Sequence, residues 1–191
     1  MDAADDTMNS PICFSKLDTK KRLNDFEFGI LKELVDGDIK CTLPSPYLLT
    51  RSMWLKEVTG KVYDGRRELG EDVVELLCNE IRELAESGAK IIQIDEPILS
   101  EVVFTNEKAD NSFYWGALSE KVKVDKELKF AKSLLTPVLA EIRKYEGVTS
   151  AMHVCRGNWT TDESVLLHGA YDKLGKFFDS LDVDMLALEF S

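Results

Sequence analysis

The chain has 191 residues, of which 44% are hydrophobic and 31% charged, and its formal net charge is −11. This composition is typical of a globular protein and argues against a largely disordered chain. An acidic chain without a long basic run gains little from a phosphate backbone, so we expect no nucleic-acid partner. No apolar stretch approaches the roughly 20 residues that span a bilayer, and the acidic N-terminus is unlike a secretory signal. We therefore expect a cytoplasmic protein that does not bind membranes.

The first part of the sequence predicts one helix and one strand. Residues 1–16 look irregular, whereas residues 17–35 carry apolar side chains at mostly three- and four-residue spacings, which predicts a helix. Residues 39–43 form a short run that predicts a strand, and two prolines end it because proline cannot donate to a sheet ladder. Residues 47–70 are predicted to form a long connection with some helical potential.

The middle of the sequence contains the clearest helix and a strongly apolar strand. Residues 71–87 place apolar side chains on one helical face, and Gly88 stands where a left-handed residue ends a helix. Residues 90–95 form a nearly continuous apolar run, which is typical of a strand buried on both faces of a parallel sheet. Residues 97–124 are predicted to be a loop, whose aromatic cluster at 113–115 either packs or covers a pocket.

The last part of the sequence repeats the alternation of helix and strand. Residues 125–146 have helical spacing, and Pro137 should kink or split that helix. Residues 148–155 predict a strand, residues 170–180 a short helix, and residues 184–189 a final strand. Strands that alternate with helices indicate a parallel α/β fold with crossover helices.

Polar side chains follow three of the predicted strands at their carboxyl ends, where α/β proteins bind ligands. Asp95 and Glu96 end one strand, His153 and Cys155 end the next, and Glu189 ends the last. His153 and Cys155 share a face because strand residues two apart point the same way. Glu189 lies on the same side as these two residues if Ala187, two positions before it in the last strand, points inward. Imidazole, thiolate and carboxylate groups form catalytic zinc sites that keep one position open.

Each of these patterns also has a structural interpretation. A His-x-Cys pair on a strand is most often a packed cysteine beside a hydrogen-bonded histidine, and the acidic pair after the earlier strand equally suits a turn. Glu189 could be solvated. Arg156 could clamp a substrate carboxylate or lie exposed in its loop. Four residues are interpreted as structural or surface residues, namely Cys13, Cys41, Cys78 and His168.

Three ordered motifs resemble the catalytic barrel of cobalamin-independent methionine synthase and its shorter single-barrel relatives. They are Ile-Gln-Ile-Asp-Glu-Pro at residues 92–97, His-x-Cys-Arg-Gly-Asn at residues 153–158, and the run of residues 181–189 that ends in glutamate. The stretch of residues 39–46 is also similar to a strand of that family. The resemblance covers about residues 26–191.

The resemblance implies a TIM-type (β/α)8 barrel and a methyltransferase of methionine biosynthesis. In that family a methyl group passes from 5-methyltetrahydrofolate, as the polyglutamate, to the thiol of homocysteine. Zinc lowers the pKa of the thiol, and the thiolate attacks the methyl group. For the single-barrel relatives the resemblance also admits other methyl or alkyl donors.

The resemblance also implies roles for individual residues. Zinc is expected on three side chains at strand ends, which are His153, Cys155 and Glu189, with a further cysteine near the last strand of the barrel. Asp95 is expected to bind the amino group of homocysteine, and Asp95 and Glu96 are predicted as catalytic residues that position the substrate. Together with Arg156, Asp95 is expected to bind substrate.

The number of strands departs from the family pattern. A barrel of this type has eight strands in about 250 residues, whereas this sequence predicts four, which resemble the fourth to seventh strands of the family. We therefore predict that residues 17–191 form an incomplete barrel after an irregular segment at 1–16. The open edges of such a sheet favour self-association. Two alternatives remain open: a truncated, non-catalytic binding or assembly module, and a zinc-dependent alkyltransferase for a different thiol.

Overall fold

The computed structural model describes residues 2–3, 6–7, 11–104, 123–156, 167 and 169–190. Within the segment predicted to be irregular, strands β1 (Asp2–Ala3) and β2 (Asp6–Thr7) pair antiparallel. The aromatic cluster at 113–115 and His168 lie outside the described residues.

Helix α1 spans Asp25–Leu34 and is shorter than the helix predicted at 17–35. The residues before it are held by Glu80 of a later helix, whose carboxylate accepts hydrogen bonds from the backbone N–H groups of Leu23 (2.9 Å) and Asn24 (3.0 Å). These tertiary contacts replace the helical hydrogen bonds, so the helix begins later than its apolar spacing indicates.

Strand β3 (Lys40–Pro44) is confirmed, and helix α2 (Pro46–Ser52) follows it within the predicted connection. Ser45 caps this helix, since its Oγ accepts hydrogen bonds from the N–H groups of Tyr47 (3.0 Å) and Leu48 (3.1 Å). Proline in the first turn suits a helix start because the missing N–H has no intrahelical partner there. The Pro-Ser-Pro run therefore both ends a strand and begins a helix.

Helix α3 (Arg66–Glu86) begins before its predicted start and ends at the predicted glycine. Gly88 has φ +104° and donates to Ala85 O (3.0 Å), while Ala89 donates to Leu84 O (3.0 Å). This pair of hydrogen bonds satisfies the last carbonyls of the helix. The prediction for Gly88 is confirmed.

The remaining elements are a 3-10 turn at Thr59–Lys61, β4 (Ile91–Asp95), α4 (Ile98–Phe104), α5 (Val124–Ile142), β5 (Thr149–Val154), α6 (Asp172–Phe178) and β6 (Met185–Leu188). Helix α4 occupies the start of the predicted loop at 97–124. Pro137 lies inside α5, which is one helix and is not split.

The four longer strands form one parallel sheet in the order β3-β4-β5-β6, as the alternation predicts. In this register Asp95 lies opposite His153, and His153 lies opposite Ala187. Registered residues of parallel strands project to the same side of the sheet. The carboxyl ends of the strands therefore meet at one edge.

The two faces of this sheet differ in burial. The side chains of one face are buried in a core shared with residues of α2, α3, α4 and α5, and they include Leu43, Ile92, Ile94, Met152 and Val154. The opposite face, called here the site face, carries Thr42, Gln93, Asp95, His153 and Ala187, which are exposed or half-buried. No helix in the described part of the chain is long and apolar enough to cross a membrane.

Candidate functional site

Three predicted site residues meet on the site face at the carboxyl ends of the strands. His153 Nδ1 lies 3.4 Å from Asp95 Oδ1, and His153 Nε2 lies 4.0 Å from Glu189 Oε1. The three side chains are 32%, 37% and 24% exposed in the order His153, Asp95, Glu189. A small molecule can therefore reach all three.

Gln93 holds Asp95 from the same face. Its Nε2 donates to Asp95 Oδ1 at 2.7 Å, and its Oε1 accepts from Lys40 Nζ at 3.3 Å. The sequence interpretation gave Gln93 no role. The signal was present, since a residue two positions before Asp95 in a strand points to the same side.

Glu189 is held by backbone and side-chain groups beyond β5 and β6. Its Oε2 accepts a hydrogen bond from the N–H of Arg156 at 2.9 Å, so Oε1 is the oxygen nearer to His153. The hydroxyl of Tyr171 donates to Val154 O at 2.8 Å and accepts from the N–H of Glu189 at 3.4 Å. Tyr171 thus ties the ends of the two strands together.

The guanidinium group of Arg156 lies against aromatic rings. Its central carbon is 4.7 Å from the ring centre of Tyr171 and 5.9 Å from that of Phe104, which is the range of cation–π contacts. The structure therefore places this side chain beside two rings, and its role as a substrate clamp stays a prediction. Gly157 and Asn158 of the same motif lie outside the described residues.

Cys155 directly follows β5 and is buried. Its carbonyl oxygen accepts a hydrogen bond from the hydroxyl of Ser100 at 2.5 Å. Among the described residues, no three His, Cys, Asp or Glu side chains lie close enough to form a ready metal site. The structure thus brings His153 to Glu189 and Asp95, and it does not bring Cys155 into a closed ligand set with them.

The donors at this edge nevertheless fit zinc in kind. Imidazole, carboxylate and thiolate are the groups that zinc binds in proteins. The Nδ1 of His153 faces the carboxylate of Asp95, and this arrangement orients a metal-binding histidine through its other nitrogen.

Glu96 lies on the other side of the sheet from Asp95 and is completely buried. Its carboxylate accepts hydrogen bonds from the hydroxyl of Ser45 and from the N–H of Ile98 at 2.9 Å. Burial raises the pKa of Glu96 to about 7, and these hydrogen bonds oppose that rise. The structure therefore brings Glu96 to the starts of α2 and α4 rather than to the site face.

The other three cysteines have environments that suit a structural role. Burial raises the pKa of the Cys13 and Cys41 thiols, and it raises the pKa of the Cys78 thiol to about 11. Thiols with raised pKa values stay protonated and are poor metal ligands and nucleophiles. This agrees with the interpretation of these residues as structural.

Comparison with known proteins shows what the chain is similar to. Residues 63–132 match the family model described as the catalytic domain of cobalamin-independent synthase. A methionine synthase of Saccharolobus solfataricus is 32% identical over 114 residues, which are 59% of this chain and 31% of that protein. A methionine synthase of Sulfurisphaera tokodaii is 25% identical over 181 residues, which are 93% of this chain and 40% of that protein. The chain thus spans less than half the length of these relatives.

A solved structure shares the fold. It is a B12-independent methionine synthase from Shewanella sp. W3-18-1 in complex with selenomethionine. It superposes with a TM-score of 0.56 at 20% identity, over 87% of this chain and 42% of that chain. The four parallel strands described above therefore correspond to part of that larger fold, and the predicted fold class is confirmed.

Proposed function

We propose that this chain, which is similar to cobalamin-independent methionine synthases, belongs to that family and forms part of a zinc-dependent methyltransferase of methionine biosynthesis. The proposed reaction moves a methyl group from 5-methyltetrahydrofolate, as the polyglutamate, to the thiol of homocysteine. One observation supports the placement of this chemistry here: Asp95, His153 and Glu189 converge at the carboxyl edge of the sheet.

We assign the zinc to three side chains, which are His153, Cys155 and Glu189. Bound zinc would lower the pKa of a substrate thiol and so supply a nucleophile near neutral pH. The half-exposed site face lets a small thiol approach His153 and Glu189. The N–H of Arg156 holds one oxygen of Glu189, so the other oxygen is the one presented to the metal.

Asp95 serves both the histidine and the substrate in this proposal. Its carboxylate beside Nδ1 of His153 favours the tautomer that carries its proton there, and Nε2 then keeps a lone pair for the metal. The hydrogen bond from the Gln93 amide fixes the orientation of the Asp95 carboxylate. A fixed, half-exposed carboxylate attracts the ammonium group of an amino-acid substrate.

Metal titration of the purified chain tests the proposed site. We expect one zinc ion per chain, and a cobalt-substituted protein should show a thiolate-to-metal absorption band that Cys155→Ser removes. His153→Ala should abolish tight binding. The chain has 2 histidines, so His168→Ala is the matched control and should bind zinc as the wild type does.

A methyl-transfer assay tests the proposed reaction. The chain is supplied with methylated folate and, in parallel, with homocysteine or other thiols. Product formed only with homocysteine supports the proposal, and product formed with another thiol shows a different alkyltransferase. A zinc-loaded chain that transfers no methyl group to any thiol would contradict catalysis by this chain alone.

A further inference from the structure

Glu96 sits where two strand-to-helix turns meet. Its Oε2 accepts the hydroxyl proton of Ser45, which caps α2, and its Oε1 accepts from the N–H of Ile98 at the start of α4. The backbone N–H groups of Leu48 and Leu99 also lower the pKa of Glu96. One side chain therefore binds the beginnings of two helices that follow adjacent strands.

Every polar neighbour identified around this carboxylate is a donor. The Oγ of Ser45 already accepts hydrogen bonds from the N–H groups of Tyr47 and Leu48. It could accept from an N–H group at position 96 only by giving up one of these capping hydrogen bonds. The ionised side chain at position 96 presents two acceptor oxygens to these donors. Glutamate does so, whereas glutamine would bring one N–H2 group against another donor whichever way its amide is turned.

The backbone of the same residues extends the sheet beyond the strands that carry the site. The N–H of Ser45 donates to Asp95 O at 2.9 Å, and the N–H of Glu96 donates to His153 O at 2.8 Å. The first hydrogen bond joins Asp95 at the end of β4 to the residue after β3, and the second joins the residue after β4 to His153 of β5. The buried carboxylate holds both donors in place, since it contacts Ser45 directly and belongs to the second donor.

We propose that Glu96 is a positioning residue that holds the ends of three neighbouring strands in register, acting on Asp95 through Ser45 and on His153 through its own backbone N–H. It reaches no substrate, because it is completely buried on the face opposite to the site face. The inference concerns the geometry of the metal-free chain, and its consequence for zinc rests on the proposed function. Glu96, which the sequence predicts to be catalytic, thus acts on Asp95 from the buried face of the sheet.

Glu96→Gln tests this inference, and Glu80→Gln is its matched control. Glu80 is also a buried carboxylate that accepts backbone hydrogen bonds, but its donors lie in the segment before α1. Amide hydrogen exchange is measured by NMR on both metal-free variants. We expect the amides of residues 45 and 96 to exchange about 10- to 100-fold faster in Glu96→Gln and to be unchanged in Glu80→Gln.

The affinity for zinc is a second measured quantity, and a general loss of stability would not change it in the same way. We expect Glu96→Gln to weaken zinc binding about 10- to 100-fold, as loss of an outer-sphere partner does, and to shift the cobalt–thiolate band. Glu80→Gln should leave both unchanged. If Glu96→Gln does not fold, Ser45→Ala gives the same comparison, because it removes one donor and keeps the carboxylate.

The outcomes separate the two proposals. Equal exchange rates at residues 45 and 96 in wild type and Glu96→Gln would overturn the positioning inference, and so would faster exchange with unchanged zinc affinity. If the wild-type chain binds no zinc, the proposed function fails. The exchange rates of these two amides then decide the positioning inference on their own.

Discussion

Glu127 of α5 joins three helices through buried polar contacts, and its replacement tests how much they contribute to stability. Its Oε2 accepts from the hydroxyl of Tyr47 at 2.6 Å and lies 3.4 Å from Arg51 Nη1, both on α2. Its carboxylate also pairs with Arg66 at the start of α3. Burial opposes ionisation of Glu127, but these donors outweigh it and lower its pKa.

The substitution Glu127→Gln keeps the shape of the side chain and removes the negative charge between two arginines. Arg51 is 8% exposed, so its charge cannot regain full hydration when the carboxylate is lost. Breaking a buried ion pair in this way costs about 3–5 kcal/mol. Because a loss of 1 kcal/mol lowers the midpoint by about 2–4 °C in a chain of this size, we expect thermal unfolding to occur roughly 6–20 °C lower.

Thermal unfolding followed by circular dichroism measures this shift, and Glu68→Gln is the control. Glu68 pairs with Lys16 on the surface, where both side chains are well exposed to water and the pair contributes little. The control should unfold at nearly the same temperature as the wild type. If the two variants lost the same small amount, the buried cluster would not stabilise the packing of the three helices, and the reasoning would be refuted.

Two further substitutions give independent checks. Burial opposes ionisation of Glu80, but hydrogen bonds from Arg22 and from two backbone N–H groups lower its pKa. A lowered pKa stabilises the fold above the unfolded value of 4.5, and this stabilisation is lost as the pH falls. The amides of α1 should therefore lose protection from hydrogen exchange below about pH 4.5. Glu80→Gln should show the same loss of protection at neutral pH. Gly70→Ala would place Cβ 2.7 Å from Leu134 Cδ2, so we expect a loss of about 1–3 kcal/mol in urea unfolding, and a smaller loss when the same change is made in a Leu134→Ala background. Gly29→Ala meets no atom within 4 Å and should not destabilise the chain.

The sheet could be predicted from the sequence because its signals are local. The apolar runs that became β4 and β5 are bounded by glycine and by polar residues, and their order along the chain already requires parallel pairing. The left-handed conformation of Gly88 is predicted correctly for the same reason, since the end of a helix depends on the few residues around it. Convergence of Asp95 with His153 follows once parallel pairing is assumed.

Other features depend on contacts between distant parts of the chain. The residues before α1 have helical spacing, yet Glu80 captures their N–H groups, and no pattern within residues 17–24 announces that contact. Helix α2 is different, because serine followed by proline is a start signal that the sequence analysis interpreted only as the end of a strand. Strand alternation places Cys155 and His153 on one side of the strand, but among the described residues no three His, Cys, Asp or Glu side chains form a ready metal site.

Alternation along β4 explains why two neighbouring acidic residues have different surroundings. Gln93 and Asp95 share the site face, where both are half-buried, and Glu96 is on the buried side. The same alternation, applied to the sequence, separates Glu96 from Asp95 and adds Gln93 to the site. Strand register then matters as much as residue type, because a slip of one residue in β5 would turn His153 towards the helices. A carboxylate that secures this register from the buried side therefore contributes to the site without reaching it.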